Sequence, residues 1–271
     1  MVTITFNDLR TSLFKLGLSH TPVIAHASLS ALGEVVGGAD AVVRALLDSV
    51  WALMMPTFTY VTMITPEVGP PNNGIAYGTE QGLNRMAEPF RRDLPADKQM
   101  GLIPETLRQH ARAKRTAHPI LSFAGIYADK FLAAQRLQDP LGPIAALAEA
   151  DGWVLLVGVD HTVNTSIHYA ERLAGRKNFV RWALLPDRII ECPGFPGDSS
   201  GFDAIAPDLA GRVRTVRAGD ATIQAMPLRA LIQAVTQRIL ADPLALLCDQ
   251  PDCLRCDAVR KSVAADRVKA R

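Results

Sequence analysis

Residues 151–172 (DGWVLLVGVDHTVNTSIHYAER) read in succession as a buried strand, a short polar loop and a helix. Residues 153–159 form a nearly unbroken apolar run, which is typical of a strand covered by helices on both faces of its sheet. From Thr165 to about Ala174, apolar residues recur at helical spacing. This order of strand and helix predicts an α/β fold.

The loop between the two elements carries Asp160, His161, Thr162 and Asn164, and His168 follows in the first turn of the helix. Open α/β sheets bind ligands beyond the carboxyl ends of their strands, and this loop lies at such an end. The positive end of a helix dipole opposes protonation of a nearby imidazole. His168 is therefore a candidate general base. The alternative is a surface or half-buried histidine without chemistry, and this segment alone leaves both open.

Composition narrows the class of protein. The 271 residues are 48% hydrophobic and 21% charged, with a formal net charge of +2, which is ordinary for a globular protein with a sizeable core. This charge gives no reason to expect nucleic acid or a membrane as a partner, and no apolar run is long enough to span a bilayer. The amino-terminal residues lack a signal-peptide pattern. We expect a cytoplasmic protein with a single domain, residues 1–271, that is a monomer or a homodimer.

A second strand–loop–helix unit lies near the amino terminus. A strand at residues 23–27 runs into the small-residue loop 26–33 (HASLSALG), and Gly37 and Gly38 precede a helix. Such a loop can present backbone N–H groups to a phosphate. It matches neither the P-loop nor the GxGxxG pattern, so an ordinary glycine-rich turn remains the alternative.

Apolar periodicity and turn residues divide the rest of the chain. We expect a strand at 53–59, in which Pro56 marks an end or an edge, and a long irregular segment at 61–99. The further expected elements are helices at 6–16, 104–113, 127–138, 143–150 and 227–240, strands at 120–124 and 219–226, and a β-rich insert at 179–201. The tail after residue 247 is expected to be loose, with a frayed charged end.

The cysteines suggest a metal site. All four lie beyond residue 190, and Cys253 and Cys256 form a CxxC. Thiolates at this spacing can bind a tetrahedral zinc, and Cys192 and Cys248 would complete the four ligands. Asp198 or a histidine could replace one of them. The position of the motif does not suit a redox CxxC, and free cysteines on a loose tail remain the alternative.

Several segments, taken together in this order, resemble the aminoglycoside 3-N-acetyltransferase family. They are residues 26–38, residues 53–59, the AHP of 117–119, and residues 158–171 with NTSIH at 164–168. The resemblance covers roughly residues 5–260. The paired cysteines of the tail, followed by Asp257 and Ala258, are similar to a subgroup of the family.

The resemblance implies a three-layer α/β/α sandwich around a central mixed sheet. A small β-rich insert and a carboxyl-terminal tail that a zinc ion can hold in place would complete the fold. It implies acetyl-coenzyme A (acetyl-CoA) as cosubstrate and the 3-amino group of an aminoglycoside as acceptor. His168 would deprotonate the amine, and the hydroxyl of Thr165 or Ser166 would stabilise the oxyanion. The coenzyme-binding positions that the resemblance implies are His26, Ser28, Leu29, Ser30, Leu32, Gly33, Val36 and Ser166.

A carboxylate should orient His168 and stabilise its protonated form. Glu191, at the end of a strand in the insert, is the first candidate, and Glu171 is the second. His26 and His118 can also line the cleft, against the alternative that each bonds a neighbouring backbone group.

The acceptor is the least defined part of the reaction. Aminoglycosides are polycations, which an acidic site would bind, yet residues 61–94 offset four acidic residues with three arginines. N-acylation of another small amine is therefore one alternative. A catalytically silent protein that binds a small ligand on the same fold is a second, and a zinc-dependent hydrolase is a third.

Overall fold

The computed structural model describes residues 2–79 and 81–269. Its strands are β1 (Thr3–Ile4), β2 (Pro22–Ala27), β3 (Glu34–Val35), β4 (Ala52–Pro56), β5 (Met63–Ile64), β6 (Lys114–Arg115), β7 (Phe123–Ile126), β8 (Trp153–Val157), β9 (Phe179–Leu184), β10 (Ile189–Phe195), β11 (Arg214–Ala218) and β12 (Ala221–Pro227). Its α-helices are α1 (Phe6–Phe14), α2 (Gly38–Ser49), α3 (Gln81–Asn84), α4 (Leu102–Gln109), α5 (Asp129–Leu132), α6 (Gly142–Glu149), α7 (Ser166–Leu173), α8 (Leu228–Ala241) and α9 (Leu254–Lys269). Among these described helices, none has the length and apolar content needed to cross a membrane.

Within the described residues, seven strands form one mixed sheet in the order β11-β12-β8-β2-β4-β7-β6. The central strand β2 is parallel to both β4 and β8, while the other neighbours pair antiparallel. The carboxyl ends of β2, β4 and β8 therefore meet at the same end of the sheet. This is the place where open α/β sheets bind their ligands.

Alternating side chains of β8 build the two layers of core. Val154 and Leu156 belong to the buried cluster that includes residues of α6, α7 and α8. Leu155 and Val157 point to the other face of the sheet, into the cluster that includes residues of α1, α2 and α4. Each such side chain contributes about 1.5–3 kcal/mol when it leaves water. The predicted three-layer α/β/α sandwich around a mixed sheet is confirmed.

The β-rich insert forms a separate antiparallel sheet in the order β10-β9-β5. Its third strand, β5, belongs to the long irregular segment. Asn73 of that segment accepts a hydrogen bond from the backbone N–H of Val180 at 2.9 Å and donates one to its carbonyl at 3.0 Å. These bonds join the irregular segment and the insert into one wall.

Three expected elements differ from those observed, and the structure decides between the two alternatives for Pro56. β4 pairs with β2 and β7 in the interior of the sheet, so Pro56 marks the end of the strand and no edge. The strand expected at 120–124 begins later, at Phe123, because the His118 ring holds residues 120 and 121 in a turn through their N–H groups. The helix expected at 127–138 is reduced to α5, and the tail expected to be loose contains α9.

Candidate active site

A cavity of about 1080 Å³ opens at the carboxyl ends of β2, β4 and β8. A smaller cavity of about 800 Å³ lies beside β6 and β7, and its lining includes Arg115 and His118. The larger cavity is the one at which predicted catalytic and coenzyme-binding residues converge. Those in its lining are His26, Ser28, Leu29, Ser30, Gly33, Thr165 and His168.

His168 is held at the amino end of α7. The side-chain oxygen of Asn164 accepts the N–H of Ser166 at 3.2 Å, which satisfies a donor in the first helical turn. The His168 side chain is only 10% exposed, and the ring of Phe202 meets it edge-on at a centroid distance of 4.8 Å. The imidazole is therefore fixed between the helix and a packed aromatic ring while it still lines the cavity.

A buried chain of charged groups lies behind His168. Nδ1 of His168 is 2.7 Å from Oε2 of Glu171, one helical turn away. The other carboxylate oxygen accepts a hydrogen bond from Arg176 at 2.8 Å, and Arg176 also donates to the carbonyls of Pro243 and Ala245. When Nδ1–H donates to Glu171, the neutral ring has its acceptor lone pair on Nε2. This tautomer is the one that a base facing the cavity requires.

The carboxylate that contacts His168 is Glu171, the second candidate, and Glu191, the first candidate, is not placed beside this ring. Glu191 is exposed on β10 and is registered opposite Trp182 of β9. Side chains alternate along a strand, and the neighbour Cys192 takes the buried position. Glu171 reaches His168 because a separation of three residues places two side chains on one face of a helix.

Arg176 and Phe202 were missed in the sequence. Gly175 ends α7 with φ +77°, and the N–H of Arg176 then bonds back to the carbonyl of Glu171 at 3.0 Å. This is the pattern of a glycine helix terminus. Such a turn brings the residue after Gly175 back towards the last turns of α7, so the sequence could have indicated a contact between Arg176 and Glu171. Phe202 had no local signal, since it lies 34 residues beyond His168.

Two further histidines, His26 and His118, are both buried, but only His26 lines the larger cavity. Burial, with a smaller contribution from His161, lowers the pKa of His26 to about 3, so this ring lines the cavity uncharged. Its Nε2 is buried and has no hydrogen-bond partner in the described part of the chain. Burial lowers the pKa of His118 to about 4. Nδ1 of His118 accepts two backbone N–H groups, which is the structural alternative considered above.

The loop after β2 has a tightly specified backbone. The N–H of Ser28 donates to the carbonyl of Val157 at 3.0 Å, which ties the loop to β8. The hydroxyls of Ser28 and Ser30 are 3.1 Å apart. Gly33 has φ +85°, and a Cβ there would lie 2.7 Å from the carbonyl oxygen of Val2. Only glycine fits this position, so the turn that presents the two serines to the cavity depends on it.

Three positions expected to bind the coenzyme lie outside the cavity lining. The turn Ser30–Leu32 directs Leu32 into the core, where it is fully buried. Val36 lies beyond the loop and is 55% exposed. Ser166 is fully buried in the first turn of α7, with a hydroxyl that has no partner among the described residues. Direct side-chain contact with a ligand in the cavity is therefore not expected for these three.

Sequence reasoning also missed two cations. Arg181 of β9 and Arg255 of α9 line the cavity, whereas no aspartate or glutamate is among its described lining residues. Tyr60 lies in the same lining, and burial raises its pKa to about 12, so the phenol stays protonated. No local pattern marks the arginines, because their positions in the cavity depend on how the insert and the tail pack.

A cluster of metal-ligand type joins the insert to the tail. One ligand atom from each of Asp198, Cys248, Cys253 and Cys256 lies within 4.8 Å of the others, and the sulfurs of Cys248 and Cys256 are 3.3 Å apart. A tetrahedral zinc with bonds of about 2.3 Å to sulfur needs sulfurs about 3.8 Å apart. The donor set and its spacing therefore fit zinc with small adjustments.

Cys192 is not part of this cluster, which corrects the expected set of four cysteines. Its thiol is buried among apolar residues of the core and donates a weak hydrogen bond to the carbonyl of Ile190 at 3.9 Å. Burial raises the pKa of this thiol to about 12. Asp198 takes the fourth position, the replacement that the sequence left open.

Comparisons with known proteins identify the family of the chain. Residues 24–239 match the family model described as aminoglycoside 3-N-acetyltransferase. Aminoglycoside N(3)-acetyltransferase IX of Micromonospora chalcea is 33% identical over 193 residues, which are 66% of this chain and 66% of that protein. The SPbeta prophage-derived aminoglycoside N(3')-acetyltransferase-like protein YokD of Bacillus subtilis is 31% identical over 180 residues, 60% of this chain and 62% of that protein. The matched part of the chain thus spans less than two thirds of the length of these relatives.

Solved structures share the fold. Aminoglycoside acetyltransferase AAC(3)-IVa, as the apoenzyme, superposes with a TM-score of 0.77 at 23% identity, covering 95% of this chain and 97% of that one. The binary structure of AAC-IIIb with CoASH has a TM-score of 0.69 at 23% identity, covering 87% and 96%. Because the family model spans most of its length, the chain belongs to the aminoglycoside 3-N-acetyltransferase family.

Proposed function

We propose that this chain transfers the acetyl group of acetyl-CoA to an amino group of a small acceptor. The names of its relatives give the 3-amino group of an aminoglycoside as the acceptor. The observation that carries the proposal is the chain of His168, Glu171 and Arg176 at the edge of a cavity lined by the Ser28–Gly33 loop. The structure of AAC-IIIb with CoASH supports coenzyme A as a ligand of this fold, and we assign its binding to that loop.

The reaction follows from the position of His168. An amine is largely protonated at neutral pH, and Nε2 of His168 takes a proton from it while Glu171 stabilises the imidazolium that forms. The amine lone pair attacks the thioester carbonyl, a C–N bond forms, and the C–S bond breaks. The nitrogen of the adduct loses its second proton, the thiolate of coenzyme A that leaves takes up this proton, and the imidazolium of His168 returns its own proton to solvent. The hydroxyl of Thr165, in the same lining, is the proposed donor to the oxyanion.

Binding of acetyl-CoA gives the first test. A ligand at about 100 times its Kd stabilises the native state by about 2.7 kcal/mol, which corresponds to a rise in Tm of about 5–10 °C for a chain of this size. Differential scanning fluorimetry measures the shift. A panel of amines with mass detection of the acetylated product and thiol release then identifies the acceptors. No shift in Tm and no thiol release with any amine would leave the silent binding protein as the better description.

We also propose that Asp198, Cys248, Cys253 and Cys256 hold one structural zinc. Zinc would supply a fixed link between the loop that follows β10 and the start of α9, where the insert and the tail meet. All four candidate ligands come from the protein, as in closed structural sites. The zinc-dependent hydrolase is thereby disfavoured, since a catalytic zinc keeps a position open for water or substrate.

Metal removal should lower stability. We expect about one zinc per chain by mass spectrometry, and a fall in Tm of about 5 °C or more on chelation, because a bound metal contributes its binding free energy to folding. Cys256→Ser should lose the metal, whereas the matched variant Cys192→Ala should keep it. Zinc retained in Cys256→Ser, or lost equally in both variants, contradicts the assignment.

A further inference from the structure

Arg181 is a buried cation in the wall of the cavity. It is 3% exposed, its guanidinium lies 4.8 Å from the ring centroid of Phe195 and 5.5 Å from that of Phe179, and it donates to the backbone carbonyls of Asn73 and Val180. No carboxylate forms a salt bridge with it among the residues that the structure describes. Buried arginines are usually paired, so this charge lacks the partner that burial requires.

Arg255 adds a second positive charge to the same wall. It lies close enough to Arg181 for the two guanidinium groups to repel each other, and this repulsion adds to burial in lowering the pKa of Arg181 to about 10. Arg255 donates to the carboxylate of Asp198 at 2.9 Å and to the carbonyl of Gly197 at 3.1 Å. About a third of its side chain stays exposed. Asp198 thus compensates the charge of Arg255, whereas no described carboxylate forms a salt bridge with Arg181.

The arginines reach the cavity from parts of the chain other than the Ser28–Gly33 loop. The Ser28–Gly33 loop belongs to the central sheet, whereas Arg181 comes from the insert and Arg255 from the tail. Arg181, Arg255 and His168 nevertheless belong to the lining of one cavity. The two cations therefore share a cavity with the base that must reach the acceptor amine, and the described lining offers no carboxylate to bind additional ammonium groups.

We propose that Arg181 and Arg255 form an anion subsite, and that the preferred acceptor is an amine that also carries a carboxylate or phosphate group. An anionic group would supply the counterion that Arg181 lacks, and guanidinium groups bind such groups with charge-assisted hydrogen bonds. The same charges repel an acceptor with several ammonium groups. The inference rests on the proposed function and specifies the acceptor of that reaction.

Binding to the enzyme saturated with coenzyme A tests the subsite without requiring turnover. Isothermal titration compares glucosamine with glucosamine 6-phosphate, a pair that differs by one phosphate, and with the polycationic aminoglycoside neamine. We expect glucosamine 6-phosphate to bind about 10- to 100-fold more tightly than glucosamine, the range for a hydrogen-bonded charge pair. Equal affinities for the pair, or tighter binding of neamine, overturn the inference.

Variants locate the effect. In Arg255→Gln the preference for the phosphorylated sugar should fall about tenfold or more, and Arg181→Lys should reduce it with the fold retained. Arg238→Gln is the matched control, since Arg238 also pairs with an aspartate, Asp208, but is absent from the cavity lining. A preference unchanged in Arg255→Gln, or lost equally in Arg238→Gln, contradicts the assignment.

The phosphates of the coenzyme are the other possible source of the anion. Comparing KM for acetyl-CoA and for acetylpantetheine, which lacks the nucleotide phosphates, separates the two. If Arg255→Gln raises KM for acetyl-CoA alone, the arginines hold the coenzyme and the acceptor inference fails. Acetyl transfer to neamine with unchanged kinetics in Arg255→Gln would likewise overturn the subsite while the proposed function stands. Absence of both acetyl-CoA binding and acetyl transfer would remove the proposed function itself.

Discussion

Replacing His168 by alanine is expected to lower kcat about 10²- to 10⁴-fold, the range that general-base catalysis contributes. Nε2 is the only acceptor on this ring once Nδ1–H donates to Glu171, so its loss leaves the acceptor amine protonated. KM for acetyl-CoA should change little, because the Ser28–Gly33 loop is intact. Thiol release under saturating acetyl-CoA, followed across pH, measures the effect.

Two further variants separate chemistry from folding. His168→Gln retains a side-chain N–H that can donate to Glu171 but has no basic nitrogen, so it should be as inactive as His168→Ala with a Tm closer to that of the parent. His20→Ala replaces an exposed histidine that is distant in sequence from His168, and this control should be fully active. Turnover within a factor of about three of the parent in His168→Gln would remove His168 from the mechanism.

Replacing Glu171 by glutamine should lower kcat by about 10²- to 10⁴-fold, for a different reason. The amide can donate to Nδ1 and so stabilise the tautomer that carries its proton on Nε2, where no proton can be accepted; in the serine-protease triad the equivalent change costs about 10⁴-fold. Glu171→Gln also leaves Arg176 without its carboxylate in a buried setting, which typically costs about 3–5 kcal/mol. Thermal unfolding and steady-state kinetics measure the two effects separately.

The double variant Glu171→Gln with Arg176→Met distinguishes orientation of His168 from general stability. Removing the second charge should recover part of the lost Tm, since no unpaired cation then remains buried. It should recover none of the lost kcat, because the tautomer of His168 is still wrong. Activity that returned in parallel with Tm would reduce Glu171 to a structural residue.

Much of the fold could be predicted from local patterns. The apolar run at residues 153–159 corresponds to β8, shortened to Trp153–Val157, and the stripe after Thr165 corresponds to α7. These predictions succeed because burial on both faces of a strand and on one face of a helix each requires a definite apolar period. The helix expected at 127–138 is limited to Asp129–Leu132. Composition alone does not reveal where packing against neighbouring elements ends a helix.

Some residues of the candidate site can also be predicted from local spacing, whereas others depend on tertiary packing. His168 and Glu171 lie three residues apart on one helix, so their pairing can be predicted from the sequence. The choice of Asp198 over Cys192 was not available, since it depends on which side of β10 faces the core. The same holds for Arg255, which reaches the cavity from the end of the chain.

The sequence by itself determined the α/β layering, the position of the base at the start of a helix, and the small-residue loop after β2, because each depends on neighbours within a few residues. Only the tertiary structure decided the fourth member of the metal-ligand cluster, the aromatic ring that fixes His168, and the positive charge of the cavity wall. Those features join segments 30 to 180 residues apart, roughly, whose contacts arise from packing of the insert and the tail against the sheet. Such contacts have no local period for a sequence pattern to reveal.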